Sequence, residues 1–158
     1  MNSNKPVLVL GVGNEILMDD GIGPKIVNRL ASEYPSERFD YRTATLGGLE
    51  LVELIQGYKK VIFIDAIKTG QGQVGDLYFF THKDFEETLH LSNLHDISFL
   101  QALSLAEQVN LSIPAEIQII AIEIKEDRIF GEDFTPELQK RFLPIYQAIK
   151  EYLGSISK

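Results

Sequence analysis

A chain of 158 residues, 44% hydrophobic and 24% charged, suits a single domain over residues 1–158 with a sizeable core and leaves little room for a second. Its formal charge of −8 argues against a nucleic-acid partner, since phosphate backbones are met by clustered Lys and Arg. The absence of cysteine excludes disulfides, thiolate metal ligands and a cysteine nucleophile. That composition, a start (MNSNKP) too short and polar for a signal peptide, and no apolar run near the ~18 residues of a membrane span predict a cytoplasmic protein with no membrane partner.

The first element is the apolar run Val7 to Leu10, continuing through Gly11. It lacks the alternation of a half-wet strand, so a strand covered on both faces is expected, as in a parallel sheet. The chain turns at Gly11 and Gly13, passes Asp19 and Asp20, and enters a helix whose face is Ile22, Ile26, Val27 and Leu30. The turn is not a dinucleotide cradle. Ile16 stands where G-x-G-x-x-G needs its third small residue, and Asp19 and Asp20 would repel a pyrophosphate. One acid here is explained by helix capping and the helix dipole. Two adjacent acids exceed that need and suit a cation.

A second strand is expected over 38–45, then a break at Gly47-Gly48 and a short helix carrying Leu51, Val52 and Ile55. KVIFIDAI, Lys60 to Ile67, is another buried strand, which we read as stopping at Asp65. A charge beside such a core costs several kcal/mol unless loop N–H groups or a functional partner satisfy it. Glycines at 70, 72 and 75 mark a loop before an edge strand over 76–81. The three histidines follow at His82, His90 and His95. His95 precedes a helical stripe over 97–108, whereas a loop histidine with no such context is ordinarily just solvated. Ala115 to Ile124 is a further buried strand, Lys125 to Phe134 a charged and mobile loop, and Thr135-Pro136-Glu137 a helix start with a capping hydroxyl. Leu138, Phe142, Ile145, Ile149 and Leu153 give the closing helix its core face.

This alternation predicts an open, mostly parallel sheet with helices on both faces, a three-layer α/β/α architecture. Ligands of such sheets bind beyond the carboxyl ends of the strands, where a regular topology gathers Asp20, Asp65 and His95. Two carboxylates and an imidazole can hold a divalent ion. The imidazole favours nickel, zinc, manganese or iron over calcium or magnesium. Such an ion polarises a carbonyl or activates water, so metal-assisted hydrolysis is the indicated chemistry. G-x-S-x-G is absent.

GVGNEILMDDGIG, Gly11 to Gly23, resembles the opening motif of the hydrogenase maturation endopeptidases, which trim the C-terminal extension of the large subunit of nickel–iron hydrogenases. Thr45-Leu46-Gly47-Gly48-Leu49-Glu50-Leu51, Ile64-Asp65-Ala66 and His95 follow in the family's order, so the resemblance spans nearly the whole chain. It implies a phosphorylase/hydrolase-like sheet between helices and a monomeric, aspartyl-type peptidase that engages nickel through two acids and a histidine. These fall on Asp20, Asp65 and His95. Asp20 is Glu in some members, and the residues before Gly47 depart from the Asp-Gly-Gly some members carry. The resemblance also implies that cleavage follows nickel insertion, so that the metal belongs to the precursor. Gly47-Gly48 is read equally well as a substrate-contacting loop or as the turn that starts the next helix. A non-catalytic nickel chaperone or scaffold would use the same three ligands, and a nucleotide-binding module would need a turn free of acids.

Overall fold

The computed structural model describes residues 7–45, 49–81 and 104–157. His82, His90, His95, the Gly47-Gly48 segment and the first part of the helix expected over 97–108 lie outside the described residues. Five strands form one sheet: β1 (Val7–Val12), β2 (Phe39–Ala44), β3 (Lys60–Ile67), β4 (Leu77–Thr81) and β5 (Glu116–Glu123). Their order is β2-β1-β3-β5-β4. The β1–β2, β1–β3 and β3–β5 pairs are parallel, and β4 closes the edge antiparallel to β5. The sheet is therefore mostly parallel, as the apolar runs of β1, β3 and β5 require.

Helices cover both faces. Helix α1 (Ile22–Glu33) and helix α3 (Pro136–Ile156) share one core, in which Ile22, Ile26 and Leu30 meet Val9, Ile62 and Ile64 of the sheet and Leu138, Ile149 and Leu153 of α3. Helix α2 (Leu49–Ile55) and Ala106, in a helical stretch over 104–108, share the other, where Leu51, Val52 and Ile55 pack on Leu8, Leu10 and Phe63. All the apolar positions that periodicity assigned to α1 and α2 are buried. Each such Leu or Ile withdrawn from water contributes about 1.5–3 kcal/mol. In α3, Phe142 is only partly buried, and Tyr146 fills the core beside Ile145.

The strand order fixes where a ligand can sit. From β1 the chain moves outward to β2 and then crosses back to β3 on the other side of β1, so the connections diverge between the carboxyl ends of β1 and β3. In open α/β sheets that divergence opens a crevice.

Candidate functional site

The turn leaving β1 is folded hard against β3. Gly23, in the first turn of α1, lies so close to the sheet that a Cβ there would strike the Ile64 carbonyl oxygen and come within 2.9 Å of that of Val12. Gly13 has φ +150°, and a Cβ there would overlap the Asp20 carbonyl oxygen. Glycine at these two places lets the turn 18–21 and the start of α1 approach the ends of β1 and β3. Between them Met18 adopts φ 50°, a left-handed conformation that costs a methionine about 1–2 kcal/mol. The Met18 N–H donates to the Gly131 carbonyl at 2.9 Å, and the Gly131 N–H donates to that of Ile16, also at 2.9 Å. These bonds hold the strained residue in place.

Asp19 and Asp20 follow, in a 3-10 turn (Met18–Gly21) rather than in the first turn of α1. Neither acts as the N-cap, which is Gly21. Their surroundings differ sharply. Asp19 is fully buried. Its Oδ1 accepts from the Thr135 N–H at 2.8 Å, and its Oδ2 from the Thr135 hydroxyl at 2.8 Å and the Lys125 and Glu126 N–H groups at 3.2 Å. The Asp19 carboxylate thus bolts the turn to the segment between β5 and α3, and the expectation that both acids serve a cation is corrected. The Thr135 hydroxyl is likewise spent on Asp19 and makes no capping bond to α3. The 125–134 segment is not the mobile loop expected, because the Asp19 N–H also donates to the Glu126 carbonyl at 3.0 Å and Leu17 forms a bridge with Gly131.

Asp20 belongs instead to a cleft of about 70 Å³ bordered by Val12, Gly13, Asn14, Leu17, Thr45 and Asp65. That is room for several water molecules, at about 10–15 Å³ of such volume each. Asp20 is 8% exposed, and its Oδ2 accepts from the Asn14 N–H at 2.8 Å. The Asn14 side chain accepts from the Ile16 N–H at 3.1 Å and so shapes the loop that makes this contact. Asp65 reaches the cleft from β3. That strand runs on to Ile67 in register with Glu123 of β5 instead of stopping at the acid. The Asp65 Oδ1 accepts from the Ala66 N–H at 2.8 Å. Two of the three expected ligands therefore line one cleft at the carboxyl ends of β1 and β3. Among the described residues no group of three or more His, Asp or Glu is placed to hold a metal ion.

Asn14, Leu17 and Thr45 stand within the motifs quoted for the family resemblance but were given no role of their own. Asn14 had a detectable signal, because asparagine after a tight glycine turn commonly bonds the backbone two residues on. Leu17 and Thr45 carried no signal beyond their place in those motifs, since the cleft that they border exists only once β1, β2 and β3 are assembled. Two carboxylates across a small cleft can ligate a divalent ion brought in by a substrate, or hold and activate a water.

A family model described as hydrogenase maturation protease matches residues 24–152, a range that begins just after Asp20 and includes Asp65 and His95. The chain is similar to the hydrogenase expression/formation protein HupD of Thiocapsa roseopersicina, 25% identical over 157 residues, which cover 98% of this chain and 70% of that protein. Its fold is that of the hydrogenase maturating endopeptidase HybD from E. coli, with a TM-score of 0.75 and 22% identity over 98% of this chain and 93% of that one. The NiFe hydrogenase maturation protease HybD from Thermococcus kodakarensis is also similar, with a TM-score of 0.68 and 24% identity over 96% of this chain and 99% of that one. A family model matching most of the chain, with the family's sheet and helices in place, means that the protein belongs to the hydrogenase maturation protease family and is a peptidase.

Proposed function

We propose that this peptidase removes the C-terminal extension of a nickel–iron hydrogenase large-subunit precursor after nickel insertion, and that Asp20, Asp65 and His95 engage the precursor's nickel. The observation that carries the reading is the meeting of Asp20 and Asp65, from two separate strand ends, in one small cleft. Two acids bordering the same cleft concentrate negative charge where a cationic centre can neutralise it. In this reading nickel is part of the substrate, and its binding sets the scissile peptide beside the cleft. Water then adds to the peptide carbonyl carbon and the C–N bond breaks. One proton of the water passes to the departing amine, and the new carboxyl group ionises. A carboxylate of the pair is suited to take the proton from the attacking water. His95 enters this proposal from its place in the family's motif order.

The test is the intact mass of a nickel-loaded large-subunit precursor before and after incubation with the protein, beside a nickel-free control. The expected result is a nickel-dependent loss of a short C-terminal peptide. Asp20→Asn and Asp65→Asn are each expected to lower the rate at least about 100-fold with the fold retained. Full processing by both variants would remove the two acids from the mechanism. Stable binding of the precursor without shortening would make the protein a nickel chaperone instead.

A further inference from the structure

Three large apolar side chains lie in water beside the cleft. Phe130 is 78% exposed, Ile129 58% and Ile16 48%. Ile16 is more than a hundred positions from the consecutive Ile129 and Phe130, but the two segments adjoin in the fold, because the Gly131 N–H donates to the Ile16 carbonyl and the Met18 N–H to the Gly131 carbonyl. Between Ile16 and Met18 stands Leu17, which both forms the bridge to Gly131 and borders the cleft with Asp20. The segment that presents them is braced. Asp19 holds the Lys125, Glu126 and Thr135 N–H groups, and the Glu126 carboxylate accepts from the Arg128 N–H at 2.9 Å. An aromatic ring fixed in water on a braced segment forgoes the gain of burial, and grouped exposed apolar residues of this kind mark contact surfaces.

The unpaired charge around them is mostly acidic. Glu15 precedes Ile16, and Glu132 and Asp133 follow Gly131; all three are exposed and form no ion pair among the described residues. The neighbouring lysines are engaged: Lys125 pairs with Glu137 at 2.7 Å, Lys68 with Asp127 at 3.4 Å, and Lys25 lies over the Phe134 ring while donating to the Glu132 carbonyl. Arg128, beside Ile129, is an exposed cation that offsets part of this charge.

We propose that Ile16, Ile129 and Phe130 form a docking ledge for the precursor polypeptide next to its scissile bond, receiving an apolar side chain flanked by lysine or arginine. The inference rests on the processing function proposed above. The apolar side chains supply contact area on a surface that needs no reordering, and the acids supply the charge complementarity that selects a basic segment. The ledge thus acts on substrate recognition and leaves the chemistry to the cleft.

The test compares wild type with Phe130→Ser, Phe130→Leu and the pair Glu132→Lys with Asp133→Lys. The substrate is the nickel-loaded precursor, and the readouts are its Kd, the processing KM and kcat, and the melting temperature. Phe130→Ser is expected to raise Kd and KM about tenfold, the scale of a peripheral interface anchor, with kcat within about twofold. The melting temperature should be unchanged and Phe130→Leu should recover most of the affinity. The charge pair is expected to raise KM and to flatten its dependence on salt. A wild type that binds the precursor without cleaving it would defeat the processing reading, and the Kd of Phe130→Ser would still decide the ledge. An unchanged Kd for Phe130→Ser overturns the ledge. So does a concentration-dependent dimer that Phe130→Ser abolishes, because the ledge would then belong to a second copy of the chain.

Discussion

Asp19 and Asp20 are neighbours in sequence and residents of two different regions. Asp19 lies in a seam, where one buried carboxylate collects donors from Lys125, Glu126 and Thr135 and joins the turn after β1 to the segment between β5 and α3. Asp20 lies in a cleft shared with Asp65, a second acid from another strand. Glu123 repeats the seam pattern at the end of β5: it is 2% exposed, and accepts from the Thr69 N–H at 2.8 Å and the Tyr78 hydroxyl at 3.0 Å as well as from the Thr69 hydroxyl. Burial alone therefore does not distinguish Asp20 from the two acids that fasten the fold. What sets Asp20 apart is that a second acid, Asp65, borders the same cleft.

The largest effect expected from this contrast is on stability. Asp19→Ala strips a buried segment of its acceptor and leaves N–H groups without partners, which should cost about 3–5 kcal/mol. At about 2–4 °C per kcal/mol for a domain of this size, the melting temperature should fall by on the order of 10 °C. Asp20→Asn removes charge from a cleft that already holds another acid, and should move the melting temperature little while abolishing processing. Thermal melts of the two variants side by side would break the comparison if their losses were alike.

Gly23→Ala is the next largest. The added methyl would meet the Ile64 carbonyl, forcing α1 away from β3 at a cost of about 2–4 kcal/mol. Because the same approach shapes the cleft, activity should fall further than stability predicts. A Gly23→Ala variant that kept both would show that the cleft does not depend on the tight turn.

Most of the fold is legible in the sequence because its signals are local. The spacing of Ile22, Ile26, Val27 and Leu30 and the apolar runs of β1, β3 and β5 each report burial through a few consecutive residues. The division of labour between Asp19 and Asp20 was not legible, since the donors that claim Asp19 lie 106 to 116 positions away. Thr135 misled for the same reason: its local setting is that of a helix cap, but a tertiary partner takes its hydroxyl. Asp65 looked like a strand terminus because charge seldom sits inside a buried run, whereas β5 pairs with β3 beyond it as far as Ile67. The convergence of Asp20 and Asp65 was readable from the rule that ligands gather at the carboxyl ends of parallel strands, applied to acids at two such ends.

The smallest effect sharpens the contrast from the exposed side. Asp76 fastens the loop before β4 much as Asp19 fastens its seam, but in water. It accepts from the Gln73 N–H at 2.8 Å and from Arg141 at 3.1 Å, and Arg141 also donates to the Val74 carbonyl at 2.7 Å. The Gln73 N–H first, and Arg141 after it, hold the Asp76 carboxyl below its ordinary value of 3.8. A carboxyl depressed in the folded state contributes stability that is present above its unfolded value and is lost as pH falls through the folded one. The urea midpoint of wild type should therefore exceed that of Asp76→Asn by a small constant margin above about pH 5 and converge with it below pH 3.8. Solvent and salt screen this exposed pair, so the margin should also shrink in high salt, whereas the loss caused by Asp19→Ala should not. A margin that persisted in acid would mean that the loop is held by the shape of the Asp76 hydrogen bonds and not by its charge. The distinction between buried and exposed fastening would then fail.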